Sequence, residues 1–224
     1  MLVRIFTAYP EYFSNTLDIS LLKHTKNSRI WQVEIINLRD YGIGKHKKID
    51  DTTAGGGAGL ILRADVLANA LESNIQNIEN ISNSPDRALI LTSPRGKKFN
   101  QEYAQNLAKL SELNIVCNRF EGVDQRVIDY YNMQEISIGD YILLGGEVGV
   151  CVILEATLRL IENFIPNHQA THEESFSTAL NGKLEYPHYT QPNCWKNLEI
   201  PETLRSGNHA EIAKWRSKNS KEQD

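Results

Sequence analysis

Apolar residues along this chain alternate between two spacings. Short, nearly continuous runs predict β-strands: "LVRIF" at 2–6, "WQVEIINL" at 31–38, "RALILTS" at 87–93 and "NIVCN" at 114–118. Between them "QEYAQNLAKLSEL" at 101–113 puts Tyr103, Leu107 and Leu110 at i, i+4 and i+7, and "LILRADVLANALES" at 60–73 repeats apolar residues at similar intervals, so both predict helices. "CVILEATLRLIENF" at 151–164 predicts another. Strand, helix, strand, helix in that order is the signature of an α/β domain with a mostly parallel sheet. The pattern fails after about residue 162. "NFIPNHQATHEESFSTALNGK" at 163–183 is polar, carries His168 and His172, and reads as a linker or mobile loop. In "ETLRSGNHAEIAKWRSKNS" at 202–220, Ile212 and Trp215 form one apolar stripe and Lys214, Arg216 and Lys218 a basic remainder, which predicts a short amphipathic helix. The expected organisation is a core domain over 1–162, a flexible connector over 163–183 and a small helical domain over 184–224.

Glycine is the next signal. "DDTTAGGGAG" at 50–59, "TSPRGKK" at 92–98, "NRFEGVD" at 118–124 and "SIGDYILLGGE" at 137–147 all fall where strands should end. Ligands of parallel α/β sheets bind beyond the carboxyl ends of the strands, so these loops are expected to converge on one crevice. Glycine inside an element costs about 0.5–1 kcal/mol relative to alanine, which suggests tight bends or a ligand lying against the main chain. No stretch fits GxGxxG opening a helix or GxxxxGK[ST], so the usual dinucleotide and P-loop phosphate grammars are missing.

Composition narrows the picture further. The formal net charge of -4 gives no general attraction to polyanions, so a nucleic-acid site must be a local patch such as "GKHKK" at 44–48, "RGKK" at 95–98 or the basic face of the tail helix. Cys117, Cys151 and Cys194 are far apart and never form CxxC, which argues against a disulfide framework or a zinc cage and for reduced thiols. The amino terminus lacks a long apolar run with a cleavage site, and "VGVCVIL" at 148–154 is too short to cross a bilayer. The expectation is an unprocessed cytoplasmic protein with no membrane partner.

Six segments in order, "DDTTAGGGAGLIL", "SPRGKKFNQ", "NRFEGVDQRV", "SIGDYILLGGE", "YPHYTQP" and "SGNHAEIAKWR", are similar to the motif series of bacterial tRNA (guanine-N1)-methyltransferases, the TrmD family. The resemblance spans nearly the whole chain. It implies a SPOUT fold: a mostly parallel sheet with a deep C-terminal trefoil knot, plus a small helical C-terminal domain. It also implies a homodimer with active sites between subunits. The implied reaction moves a methyl group from S-adenosyl-L-methionine to N1 of the guanosine 3′ of the anticodon, position 37 of the tRNA.

Carried over by position, the resemblance implies a cofactor held by three loops. The first supplies Thr92, Ser93, Pro94 and Gly96, and the second Asn118, Phe120, Glu121 and Gly122. The third supplies Ser137, Ile138, Gly139, Asp140, Tyr141, Ile142 and Leu143, followed by Gly145 and Gly146. The family's general base is an aspartate before Ser-Phe, and that position here is Glu174, one methylene longer, beside Glu173 of the same chemistry. Arg159 matches the catalytic arginine expected at guanine O6, and Glu121 a glutamate near the methyl donor. Asn118 and Phe120 stand where the family usually has glycine and tyrosine. For the tRNA, Asp50 or Asp51 is the expected reader of the guanine edge, with Lys45, His46, Lys214 and Arg216 as contacts. Magnesium dependence is also a family property, although no ligand spacing here demands a metal.

Two other readings are compatible with parts of the pattern. A non-catalytic RNA-binding module on the same scaffold would account for glutamate at the position of the base. A nucleotide-dependent oxidoreductase would account for the sheet and glycine loops, but leaves the tail unexplained and lacks its fingerprint.

Overall fold

A computed structural model describes residues 1–166 and 173–222, so His168 and His172 lie outside the described residues. The chain divides into two units, Met1–Phe164 and Ile165–Asp224.

The first unit begins with β1 (Leu2–Thr7), α1 (Glu11–Thr16), α2 (Ser20–Asn27) and β2 (Gln32–Asn37), followed by a hairpin of β3 (Asp50–Thr52) and β4 (Leu60–Leu62). It continues through α3 (Ala64–Asn74), β5 (Arg87–Lys98), α4 (Gln101–Leu107) and β6 (Glu112–Val116). It closes with α5 (Gln125–Tyr130), β7 (Gln134–Ser137) and α6 (Glu147–Leu158). Five strands form one sheet in the order β2-β1-β6-β5-β7, every pair parallel. Parallel strands are covered on both faces, which is why they read as apolar runs: Ile5, Phe6, Ile90, Leu91, Ile115 and Val116 are all buried. Helix α3 adds Val66, Leu67, Ala70 and Leu71, all buried on one stripe, to the cluster that contains Phe6 and Val116.

Several predicted elements are shifted, each for a packing reason. The helix expected over 101–113 stops at Leu107, because Glu112 and Leu113 pair with both β1 and β5. The helix expected from residue 60 starts at Ala64, because Leu60–Leu62 are taken by the antiparallel pairing with β3. Strand β6 ends at Val116, leaving Cys117 and Asn118 beyond the sheet edge. Strand β5 runs to Lys98, past the expected end, with a register break against β7 between Thr92 and Lys97. The helix expected at 151–164 is α6, which begins earlier and ends at Leu158, with Arg159 as its cap. The three cysteines are unpaired. Among the described residues no helix is long and apolar enough to cross a membrane.

In the second unit, residues 173–183 form hydrogen-bonded turns: Ser177 N donates to Glu174 O at 3.0 Å, and Gly182 N to Ser177 O at 3.0 Å. A two-residue hairpin follows, β8 (Cys194–Trp195) with β9 (Leu198–Glu199), then α7 (Glu202–Arg205) and α8 (His209–Asn219). Asn208 caps α8 by accepting from Ala210 N and Glu211 N. The apolar stripe of this helix is partly buried: Trp215 packs edge-on to Tyr186 and Tyr189, at 6.4 and 6.2 Å between ring centres.

Candidate cofactor site and family

The register break of β5 and the carboxyl ends of β6 and β7 open into a cavity of about 200 Å³. Its wall takes Thr92, Ser93 and Pro94 from within β5, Asn118, Phe120 and Glu121 from the segment after β6, and the loop after β7 from Ser137 to Gly146 apart from Asp140. The mixture is apolar side chains with a few polar groups, as small-molecule sites require.

Each wall segment is fixed by a local bond. Thr92 Oγ1 donates to Val116 O at 3.3 Å and accepts from Asn118 N at 3.1 Å, tying β5 to the chain leaving β6. Gly146 N donates to Asn118 O at 2.7 Å, which brings the end of the third loop onto the second. At Gly146 a Cβ would collide with Thr92 Oγ1 and lie 2.7 Å from Asn118 N; at Gly145 it would collide with the Arg119 guanidinium. Glycine is required at Gly146 by the close approach of the Asn118 backbone, and at Gly145 it makes room for the Arg119 side chain. Tyr141 Oη donates to Ile138 O at 3.0 Å and turns the loop back on itself. Glu121 N donates to Leu60 O at 2.8 Å, linking this wall to the β3–β4 hairpin. Gly59, at φ +93°, leaves the room that the Glu121 side chain occupies.

Thus most residues expected against the cofactor line one cavity. Gly96, Gly122 and Asp140 do not. Gly96 is pressed against the β7 backbone at Glu135 and Ile136, Gly122 takes a φ of +141° at a turn, and exposed Asp140 bonds Lys98. Ile136, Leu144 and Gly149 also line the cavity, unanticipated. Two further residues behind the wall escaped the sequence reading. Glu147 is only 1% exposed, and its carboxylate meets Thr7 Oγ1 at 2.9 Å and Arg119 Nε at 3.0 Å. A lone acid inside "GGEVGV" was the available signal. Burial, then the Glu147 charge, pushes the neighbouring Cys117 thiol well above its usual range, so it is not a nucleophile near neutrality. Asn118 Oδ1 is buried with no partner among the described residues.

The other expected site residues are distributed over both units. Arg159 caps α6 in the first unit. Glu174 is partly buried in the turns of the second, where its neighbour Glu173 lies 3.8 Å from Arg216. Asp50 and Asp51 belong to β3; the Asp51 carboxylate is paired with Lys48 at 3.0 Å and Arg63 at 2.9 Å, which holds it below the usual carboxylate range. Lys45 and His46 are exposed on the turn closed by the Ile43–Lys48 bridge, Lys214 pairs with Glu211 at 2.9 Å, and the Arg216 guanidinium lies 4.9 Å over the Tyr186 ring. A roomier hollow of about 680 Å³ runs beside β4 and α5, but its arginines are engaged: Arg63 with Asp51 and Asp65, Arg126 with Asp124. Among the described residues no group of three or more His, Cys, Asp or Glu could hold a metal ion.

Comparison with known proteins agrees with this geometry. The tRNA (guanine-N(1)-)-methyltransferase of Cereibacter sphaeroides (strain ATCC 17023) is 45% identical over 216 residues, covering 95% of this chain and 84% of the relative. That of Ruegeria sp. (strain TM1040) is 46% identical over 213 residues, with the same coverage, and that of Ehrlichia canis (strain Jake) 42% over 218 residues, covering 97% and 89%. The family model described as tRNA (Guanine-1)-methyltransferase TrmD matches residues 1–224, and the chain belongs to that family.

Proposed function

We infer that this protein is an S-adenosylmethionine-dependent tRNA (guanine-N1)-methyltransferase acting on the guanosine 3′ of the anticodon. The observation that carries the reading is the cavity at the register break of β5 and the carboxyl ends of β6 and β7, built from segments that resemble the family motifs. Its residues fit the cofactor: Gly145 and Gly146 bring main chain to the cavity wall, apolar Ile138 and Leu143 can flank an adenine, and Thr92, Ser93 and Asn118 supply polar groups. When bound, the cofactor supplies a methyl group already activated on a sulfonium.

The chain has three tasks. It holds donor and guanine in line, it takes the N1 proton, and it compensates the charge that shifts to O6. Glu174 is the proposed base, because it stands at the family's position before Ser-Phe; Glu173, 3.8 Å from Arg216, is its neighbour of the same chemistry. Arg159 is the proposed cation for O6, and Glu121, on the cavity wall, favours the sulfonium. Asp50 is the proposed reader of the guanine edge, because Asp51 is taken by Lys48 and Arg63. Lys45, His46, Lys214 and Arg216 are proposed backbone contacts to tRNA, which makes binding fall with salt. The second unit is proposed as the tRNA-binding domain, acting on an extruded base.

A homodimer and the trefoil knot belong to the same proposal. Helix α6 is apolar on several sides, with Val148 and Val152 exposed, and the cavity loop exposes Ile142 at 82% and Leu144 at 95%. A second copy of the chain is the natural cover for such a patch. The bonds from Gly146 to Asn118 and from Arg119 to Leu144 support a cavity loop wound against the segment after β6.

Methyl transfer from labelled cofactor to a tRNA transcript, with the modified base located by mass spectrometry, tests the reading. Glu174→Gln should lower the rate by roughly 10²–10⁴-fold and leave S-adenosylhomocysteine binding unchanged. Wild-type protein that binds the transcript but transfers no methyl would be a non-catalytic RNA-binding module instead.

A further inference from the structure

Arg119 is absent from the cavity wall, yet its side chain joins the cavity loop, the start of α6 and Tyr9 after β1. Its Nε lies 3.2 and 3.0 Å from the two oxygens of Glu147 at the start of α6. Its Nη1 donates to the carbonyl of Leu144 at 3.1 Å, and its Cζ sits 4.4 Å over the ring of Tyr9. Glu147 in turn accepts from Thr7 Oγ1 at 2.9 Å, and the same hydroxyl accepts from Tyr9 N at 3.0 Å. Gly145 is the residue that lets the guanidinium in.

A fully buried carboxylate is a costly way to hold a fold, because well-packed apolar groups of the same volume do as well or better. What an apolar group cannot do is present a rigid fork, one edge to a carboxylate and another to a main-chain oxygen. Here the second edge goes to Leu144, a residue of the cavity loop, while Asn118, Phe120 and Glu121 on either side of Arg119 form the facing wall.

We propose that Arg119, oriented by Glu147, is the positioning residue of the cofactor loop: it fixes Leu144 and Gly145 against Asn118–Glu121, so that the cavity stands formed before the cofactor arrives. The inference rests on the reading of that cavity as the S-adenosylmethionine site.

The test compares wild type with Arg119→Ala, Arg119→Lys and Glu147→Gln by calorimetry with S-adenosylhomocysteine, by methyl-transfer kinetics and by amide hydrogen exchange. Arg119→Ala should weaken product binding by at least about 20-fold and raise KM for the donor in step, with kcat at saturating donor within about threefold of wild type. Arg119→Lys keeps the charge opposite Glu147 but not the fork, so it should restore the melting temperature and leave affinity low. Glu147→Gln should fall between Arg119→Lys and wild type in affinity. Amides of 139–146 should exchange faster in both arginine variants while those of β1, β5 and β6 stay as slow as in wild type. A folded Arg119→Lys protein with wild-type affinity, or exchange that rises across the whole sheet together, overturns the proposal. Wild type that takes up no S-adenosylhomocysteine would overturn the assignment of the cavity, and the exchange of 139–146 would still judge the latch.

Discussion

The two ends of the central sheet handle polar groups in opposite ways. At the amino ends charges answer one another across four strands: Arg4 meets Glu34 at 2.6 Å and Glu112 at 2.9 Å, and Arg87 meets the same Glu112 oxygen at 3.1 Å. Asn114 donates to that oxygen at 2.9 Å and to the Ala88 carbonyl at 3.2 Å. At the carboxyl ends, hydroxyls and amides bond to the loop backbone, Gly145 and Gly146 sit so close to Arg119, Thr92 and Asn118 that no Cβ fits, and Asn118 Oδ1 has no partner among the described residues. The one buried ion pair there passes its arginine on to a loop carbonyl. Charges that answer one another across strands hold the sheet together, even with Arg87 Nε buried and unpartnered among the described residues; polar groups spent on the loop backbone shape a site.

That contrast breaks first, and hardest, at Gly146. A methyl group there must displace Thr92 Oγ1 and the Asn118 amide, and overpacking of this kind costs about 1–3 kcal/mol of local distortion, taken here from the cavity itself. Gly146→Ala should lower affinity for S-adenosylhomocysteine by roughly 100-fold, a loss of about 2.7 kcal/mol, in a protein that still folds. Calorimetry and a thermal melt on the same sample decide it. Near-wild-type affinity would mean that the end of the loop is not part of the site.

The amino end should give the converse result, stability without affinity. Burial works against the Glu112 charge, but hydrogen bonds from Asn114 and Arg87 and the charges of Arg4 and Arg87 outweigh it and hold the carboxyl below its ordinary value of 4.5. A carboxylate with a depressed pKa contributes stability that is complete above the ordinary value and is lost as pH falls through the depressed one. Glu112→Gln should therefore cost about 1–2 kcal/mol at pH 7, between an exposed and a fully buried pair, and the difference from wild type should shrink below pH 4.5. Cofactor affinity should not change. Denaturant melts at several pH values measure the first part, and a difference that persists into acid would remove the ionic explanation.

How much of this contrast the sequence could reveal depended on range. Strands buried on both faces announce themselves as apolar runs, so β1, β2, β5 and β6 were legible, and clustered glycines marked the loops that line the cavity. Strand β7 went unread because "QEIS" has four residues and one large apolar side chain. Helix ends were misjudged where long-range pairing captured residues of helical spacing, as at Glu112 with Leu2 and at Leu60–Leu62 with β3. Arg119 and Glu147 are 28 residues apart, and no local pattern couples them. Nor could spacing tell Gly96, a β5 residue pressed against the β7 backbone and away from the cavity, from Gly146 on the cavity wall.

The smallest effect is the sharpest probe, because its two readouts should move in opposite directions. Asn118 is on the cavity wall and its Oδ1 is buried with no hydrogen-bond partner among the described residues; such a group, where no water reaches it, costs about 1–3 kcal/mol. Asn118→Ala removes that penalty, so stability should hold or rise by up to about 1 kcal/mol. The same change deletes the acceptor for a cofactor donor, so affinity for S-adenosylhomocysteine should fall roughly 5–10-fold, the value of one hydrogen bond in a shielded site. Substitution of a structural residue lowers stability and affinity together, as would truncation of any side chain in the Glu112 network. A rise in one with a fall in the other is the mark of a group that serves the cofactor and not the scaffold; a parallel fall in both would assign Asn118 to the scaffold.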